Sequence, residues 1–427
     1  MNKETFLTAL KGLMAIESVA MVDADEQHPY GTGPAKALAC VLDLCRELGI
    51  PAVNLDGKTA WAEIGSGDEI VGILGHLDVV PVGEGWTHDP KGEVCGDRLY
   101  GRGAADDKGP TLAALFAMKD LLDSGVPLKR RVRLIFGQCE ETGGWEDMAY
   151  YAAHEPLPVY GFTPDADFPA IYGEKGILNY ELSLPLEDSG VLSAEGGDAS
   201  NMVPGWARAV VPTADGPKAY AAHGRPAHAS TPEKGVNAIS KLMAALEADG
   251  VASPLVDFYQ NRIGFDLTGE QMGCGFSDEQ SGGLTLNAGM LRTVGDRIVL
   301  TIDIRSPVTV DTAAVRTAIE TACAPYGIAV ACAEDMKPIY MDKHGRVITA
   351  MLEVYRSVTG DLSEPTVIGG GTYARAMPGI VAFGPMQPGR ECTEHQKDEY
   401  ILLEDLFQAE EIYRQTIEKL ANLEENE

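Results

Sequence analysis

Apolar residues recur at helical spacing over 6–19 and again over 35–48, where Gly33-Pro34 places a proline in a first helical turn. Two strand-like runs follow at 60–64 and 70–74, and then a helix over 110–122, opened by Pro110 and closed near Gly125. A strand over 131–136, a short helix over 145–153 and a strand over 159–162 continue the alternation. Strands alternating with helices predict a largely parallel sheet covered on both faces. The rhythm changes after Gly173. Strand candidates at 178–184, 207–211, 219–222, 284–291 and 298–304 outnumber the two helical stretches at 236–248 and 312–323. The return at Thr293-Val294-Gly295-Asp296 suggests antiparallel pairing. From Lys337 onward the α/β alternation resumes, with a helix over 347–357, strands at 366–368 and 380–383, and a helix over 402–420. The expected architecture is an α/β catalytic domain with a mostly parallel sheet in three layers, discontinuous over 1–173 and 336–427, and an inserted α+β lid domain over 174–335.

Composition narrows the function classes. A chain of 427 residues exceeds the usual domain of about 150 residues. With 45% hydrophobic and 23% charged residues it has the balance of a folded globular chain. Lys and Arg number 34 against 64 Asp and Glu, and 34 − 64 = −30. Such a surface repels phosphate backbones and anionic lipid, which argues against nucleic-acid or membrane partners. No apolar run reaches the ~18 residues needed to span a bilayer, and the N-terminus leads into an amphipathic segment instead of a signal peptide. The eight cysteines are scattered, with no CxxC spacing. They read as reduced, mostly buried thiols of a cytoplasmic protein. The chain ends on the acidic run Glu424-Glu425-Asn426-Glu427.

Five segments carry candidate chemistry. His76-Leu77-Asp78 follows the apolar run 70–75, placing an imidazole and a carboxylate where a buried strand leaves a sheet. Asp106-Asp107 sits in the glycine-rich bend 101–109 before a helix, where Asp107 could also act as an N-cap. Glu140-Glu141 follows the strand 131–136; adjacent acids on extended backbone point to opposite sides, so one could bind metal while the other faces water. Two acids so close would repel unless a cation stood between them. Asp165, in Thr163-Pro164-Asp165-Ala166-Asp167, follows another strand, and Cys392-Thr393-Glu394-His395-Gln396 precedes the last helix. Three strands thus deliver His76, the Glu140-Glu141 pair and Asp165 to one edge of one sheet. Gly369-Gly370-Gly371-Thr372-Tyr373-Ala374-Arg375 reads as a helix start after a strand, so the amides near Gly370 and Thr372 could bind a peptide carboxylate.

Taken in order, these segments resemble the co-catalytic zinc peptidase and deacylase superfamily of carboxypeptidase G, aminoacylase and succinyl-diaminopimelate desuccinylase. Gly75-His76-Leu77-Asp78-Val79-Val80-Pro81, the run from Gly101 to Gly109 and Glu140-Glu141 match its motifs. Asp106-Asp107-Lys108-Gly109-Pro110, Pro164-Asp165-Ala166-Asp167-Phe168-Pro169 with Gly173-Glu174-Lys175-Gly176, and His395-Gln396-Lys397-Asp398-Glu399-Tyr400 are similar to the bacterial dipeptidase V-like (Xaa-His dipeptidase or Sapep-like) branch. The resemblance covers essentially the whole chain and implies a phosphorylase/hydrolase-like fold.

It also implies roles. Asp106 would bridge two divalent ions, His76 and Asp165 completing one site and Glu141 and His395 the other. Zinc is the first expectation, with manganese and cobalt as alternatives. Glu140 would be the general base and acid, and Asp78 the partner of His76 from behind. The family places a cis peptide after the bridging aspartate, here Asp106–Asp107. His228, in Ala222–Ser230, would stabilise the oxyanion, and Arg305 and Asn201 would help hold substrate. His28, His88, His154 and His344 match no ligand position and read as structural or surface residues. The implied activity is dipeptidase action on short peptides with free ends, by a monomer that the insertion can complete. The alternative is an N-acyl-amino-acid deacylase or carboxypeptidase of the same fold. A catalytically silent relative would lack the base or the ligands, all of which are present.

Overall fold

The computed structural model describes residues 2–424, so the last three residues of the acidic end lie outside the described residues. The chain forms two compact units. The first comprises the chain up to Tyr172, Met341–Thr366 and the chain from Thr372; the second comprises Gly173–Tyr340 and Val367–Gly371.

The first unit is built on a sheet whose members appear in the chain as β1 (Ala52–Leu55), β2 (Thr59–Ile64), β3 (Ile70–His76), β6 (Arg131–Gly137) and β7 (Tyr160–Thr163), joined by the strand Ile380–Ala382. Across the sheet the order is β1-β2-β6-β3-β7 and then Ile380–Ala382. At the centre β3 pairs in parallel with both β6 and β7, and Ile380–Ala382 pairs in parallel with β7. The pairings of β2 with β1 and with β6 are antiparallel. The sheet is therefore mixed, with a parallel centre and an antiparallel edge, a common variant of such folds. All seven residues of β3 are buried, which explains its uninterrupted apolar run. The two minor strands β4 (Glu93–Cys95) and β5 (Arg98–Tyr100) form a separate three-stranded sheet with Tyr400–Leu402.

Helices α1 (Lys3–Met14), α2 (Thr32–Leu48), α3 (Lys108–Ser124) and α4 (Glu146–His154), with Arg346–Thr359 and Leu403–Ala421, supply the rest of this unit. Helix α3 is buried on nearly every side along its first three turns, as an all-round apolar helix should be. Helix α1 stops at Met14 although the apolar spacing runs on to residue 19. The chain beyond it has other partners: Lys108 Nζ donates to Leu13 O and Ile16 O at 3.3 and 2.7 Å, Ser18 Oγ donates to Leu77 O at 2.6 Å, and Val79 N donates to Ser18 O at 3.1 Å. The segment after α1 is thereby drawn into the loop that follows β3. Gly75 lets α3 approach β3, because a Cβ there would lie 2.1 Å from Thr111 Oγ1.

The second unit holds a seven-stranded antiparallel sheet in the order Lys218–His223, Trp206–Val211, Ser193–Gly196, Thr285–Val294, Arg297–Ser306, Gly176–Pro185, Ala329–Met336. Ala238–Ala248, Pro254–Arg262 and Thr312–Cys323 share its hydrophobic core. Every strand expected from the sequence is present here. Ser193–Gly196 and Ala329–Met336 were not expected: the first is four residues long, and the second is an edge strand without buried alternation. The helix Pro254–Arg262 also escaped the periodicity, although Ser253-Pro254 is a start signal and Ser253 does accept from Val256 N.

Candidate metal centre

The parallel strands β3, β6 and β7 share one direction, so their carboxyl ends bring His76, the Glu140 turn and Asp165 to one edge of the first unit. The loop before α3 adds Asp106, and the loop before the last helix adds His395. Asp106 lies between the two histidines. Its Oδ1 is 3.0 Å from His76 Nε2 and its Oδ2 is 2.8 Å from His395 Nε2. Asp165 Oδ2 is 3.8 Å from His76 Nε2, and Glu141 Oε2 is 3.1 Å from His395 Nε2. Two three-residue groupings with metal-ligand spacing result, one of His76, Glu140 and Asp165, the other of Asp106, Glu141 and His395.

The donors fit divalent ions. His76 Nε2 and Glu141 Oε1 are buried and make no hydrogen bond, a costly arrangement unless something else meets them. The titration pattern agrees. Burial opposes charge on Asp106, yet the facing imidazoles of His395 and His76 outweigh it and hold its carboxyl below the ordinary range. Hydrogen bonds to Asp106 and Glu141 push His395 up to about 11. Burial lowers His76, but Asp106 and Asp78 reverse this and raise it well above the usual histidine range. Burial, and then the charge of Asp106, carry Asp165 up to about 8. Glu140 is raised well above the carboxylate range by burial, against the pull of His76. Four carboxylates drawing protons onto two imidazoles describe a cluster that demands positive charge. Imidazole and carboxylate donors suit zinc, manganese or cobalt.

Supporting groups fix this arrangement. His76 Nδ1 lies 3.0 Å from the Asp78 carbonyl oxygen and 3.5 Å from its carboxylate. The carboxylate is engaged elsewhere, accepting Glu140 N at 3.1 Å and Glu141 N at 3.0 Å. Glu140 and Glu141 themselves occupy a 3-10 turn, Glu140–Thr142, not the extended backbone expected of them. Strand β6 ends at Gly137, and the two acids diverge because of the turn. Asp107 stands at the N-cap position of α3 but makes no cap bond. Its Oδ2 accepts from His76 N at 3.1 Å and from Thr111 Oγ1 at 2.8 Å, so its carboxylate steadies the end of β3. The Asp106–Asp107 peptide is cis.

Two groups without an expected role stand out. Glu399 is fully buried; its Oε1 accepts from Gly103 N and Ala105 N at 3.0 Å, and its Oε2 from Arg102 Nη1 at 2.6 Å. It fastens the loop of Asp106 to the chain that carries His395. The motif His395–Tyr400 contains it, but nothing in spacing marks it as buried. Asp147 Oδ2 accepts from Gln138 N at 2.6 Å, Cys139 N at 3.1 Å and Tyr373 Oη at 2.6 Å, anchoring the approach to Glu140.

The remaining expected residues divide between the units. In the second unit, Met202 and His228 form an antiparallel bridge, and Asn201 O accepts from Ala229 N at 2.8 Å, so Asn201 and His228 are held side by side. His228 Nδ1 is 2.7 Å from Ser230 Oγ. Arg305, 4% exposed, donates from Nε and Nη2 to Asp303 at 2.8 Å and from Nη1 to Gly369 O at 2.9 Å, next to Gly370. The helix expected to start near Thr372 is a three-residue 3-10 turn, Tyr373–Arg375, in which Thr372 Oγ1 accepts from Ala374 N. A turn that short has no helix N-terminus to offer an anion, and the glycine run before it stops the helical periodicity.

Residues 72–419 match Peptidase family M20/M25/M40. The chain belongs to this family and is a peptidase, a hydrolase of peptide bonds. It is 36% identical to the putative dipeptidase YtjP of Bacillus subtilis, over 98% of this chain and 98% of that one. Its fold is similar to that of an M20 family metallo-carboxypeptidase, Sso-CP2, from Sulfolobus solfataricus (TM-score 0.63, 19% identity, 98% of this chain and 99% of that one). It is likewise similar to a dinuclear metal binding M20 peptidase, YXEP, from Bacillus subtilis (TM-score 0.57, 13% identity, 98% and 99%). Among the described residues no helix is long and apolar enough to cross a membrane.

Proposed function

We propose that the chain is a dinuclear metal-dependent dipeptidase that hydrolyses short peptides with free amino and carboxyl ends. The observation that carries this reading is Asp106, whose two oxygens lie 3.0 Å from His76 Nε2 and 2.8 Å from His395 Nε2, so that one carboxylate stands between a histidine of each ligand group. The name of the Bacillus subtilis relative supports the substrate class.

His76, Asp106 and Asp165 would hold one ion, and Asp106, Glu141 and His395 the other. Bound there, two divalent ions supply Lewis-acid polarisation of the scissile carbonyl and acidify a water. Glu140 takes the proton of the attacking water at its carboxylate and returns it to the leaving amine nitrogen. Asp78 keeps Glu140 and Glu141 in place through their amides. We assign His228 to oxyanion stabilisation, and Arg305 and Asn201 to substrate binding. Three of the five N–H donors of Arg305 already serve Asp303 and Gly369, so its share in binding a carboxylate falls to the other two. The acting form is a monomer in the cytoplasm.

The test is a metal-reconstituted assay against matched dipeptides, longer peptides and N-acetyl amino acids. Chelation is expected to abolish dipeptide cleavage and added zinc, manganese or cobalt to restore it. Full activity in metal-free protein, or faster turnover of N-acetyl amino acids than of dipeptides, would overturn the proposal.

A further inference from the structure

We propose that the β4–β5 hairpin carries a third metal site, formed by His88, Glu93 and Cys95, for an ion of the zinc class. One ligand atom from each of these residues lies within 4.8 Å of the others. Glu93 and Cys95 are two apart on β4, so their side chains leave the same face of the hairpin. His88 reaches the cluster from the preceding loop. Its ring stacks on Tyr100 with centroids 3.7 Å apart and 12° between the planes, which limits rotation of the imidazole.

The geometry at His88 repeats that at His76. His88 Nδ1 lies 3.3 Å from Glu93 Oε2, is buried and makes no hydrogen bond. At the dinuclear centre His76 Nε2 faces Asp106 Oδ1 at 3.0 Å with the same lack of a bond. In both places a buried ring nitrogen and a carboxylate oxygen converge at a separation that two ligands of one ion adopt.

The backbone of this cluster is fixed in advance. Asp398 Oδ1 accepts Thr87 N at 2.7 Å and His88 N at 3.1 Å, and Glu93 Oε2 accepts Asp89 N at 2.9 Å. Arg98, opposite Cys95 in the hairpin register, is occupied by aromatic neighbours: its guanidinium lies 4.2 Å from the Tyr400 ring and donates to Tyr100 Oη at 3.3 Å. Nitrogen, sulfur and carboxylate donors together favour zinc or cobalt over magnesium and calcium, which prefer oxygen alone. On binding, the Cys95 thiol loses its proton to solvent and the thiolate forms the metal–sulfur bond. Cys95 is exposed and the His88 side chain is 25% exposed, so a fourth position is open to water.

None of the ligands assigned to the dinuclear centre is a sulfur, and this separates the two sites spectroscopically. Cobalt(II) titrated into the metal-free full-length protein is expected to give a thiolate-to-cobalt charge-transfer absorption in the near ultraviolet. That absorption should vanish in Cys95→Ser and in His88→Ala, with one equivalent of cobalt fewer bound per chain, and remain in Cys139→Ser. Dipeptide cleavage by the reconstituted Cys95→Ser protein should be unchanged. No charge-transfer band in the parent at saturating cobalt, or a band that survives Cys95→Ser, would overturn the proposal. Failure of the dinuclear reading would appear separately, as dipeptide turnover that does not depend on metal.

Discussion

Replacing Glu399 by leucine tests whether the Asp106 loop is held electrostatically. The carboxylate is wholly buried, and Arg102 beside it is 4% exposed, so removing Glu399 leaves a buried guanidinium with no counter-charge and only the Pro81 and Val82 carbonyl oxygens as partners. Losing one partner of a buried pair costs about 3–5 kcal/mol. The amides of Gly103 and Ala105 also lose their acceptor, and an unsatisfied buried donor costs about 1–3 kcal/mol. These effects share one site and do not add fully, so a loss of at least about 4 kcal/mol is expected. The double variant Arg102→Met, Glu399→Leu removes the stranded charge but leaves the two amides orphaned. It should recover about 3 kcal/mol of the loss while binding metal as weakly as the single variant, because Ala105 and Asp106 are released in both. Urea unfolding of the metal-free proteins measures the first effect, and competition with a chromophoric chelator the second. A single variant within about 1 kcal/mol of the parent, the usual worth of a surface pair, would refute the reasoning.

Glu140→Gln should retain the fold and metal content while dipeptide turnover falls by about 10²–10⁴, the range for a lost general base; an equal fall in a remote surface Glu→Gln control would remove the assignment. Gly75→Ala should cost about 1–3 kcal/mol by overpacking, since the new Cβ meets Thr111 Oγ1 at 2.1 Å; a melting temperature equal to the parent's would contradict that contact. Glu410 is 5% exposed, with Oε1 lacking a hydrogen bond. Burial and then the charge of Asp120 raise it from 4.5 to about 7, with Glu411 also raising it and Arg414 opposing. The native state therefore holds an extra proton between those values: its contribution is fully present below about 4.5 and is lost as pH rises through about 7. Glu410→Gln should accordingly gain up to about 3 kcal/mol at pH 8, from about 1.4 kcal/mol per unit, and flatten the pH dependence; an unchanged stability profile from acid to neutral pH would count against it.

The sheet was legible in the sequence wherever burial dictates composition. β3 is apolar because both of its faces are covered, and α3 reads as a helix because proline and glycine bracket it. His76, the Glu140-Glu141 pair and Asp165 could be gathered because loops at the carboxyl ends of parallel strands converge, whereas Asp106 and His395 joined them only through the family resemblance. What escaped depends on long-range closure. The end of α1 is set by Lys108, far along the chain, and no local periodicity records that partner. The turn at Glu140–Thr142 depends on Asp78 accepting two amides across 62 and 63 positions. Glu399 looks like any charged loop residue until Arg102 and the Gly103 and Ala105 amides are placed around it. Cys95 and His88 belong to no motif, and only the hairpin brings them together.

The double role of Asp78 has a mechanical consequence. Its main-chain carbonyl meets the imidazole of His76 while its carboxylate grips the amides of Glu140 and Glu141, so one residue spans two strand ends. A sideways slip of β3 against β6 would carry the Glu140 turn with it. Ligand and base then move as one piece, and the gap between them is preserved against breathing of the sheet.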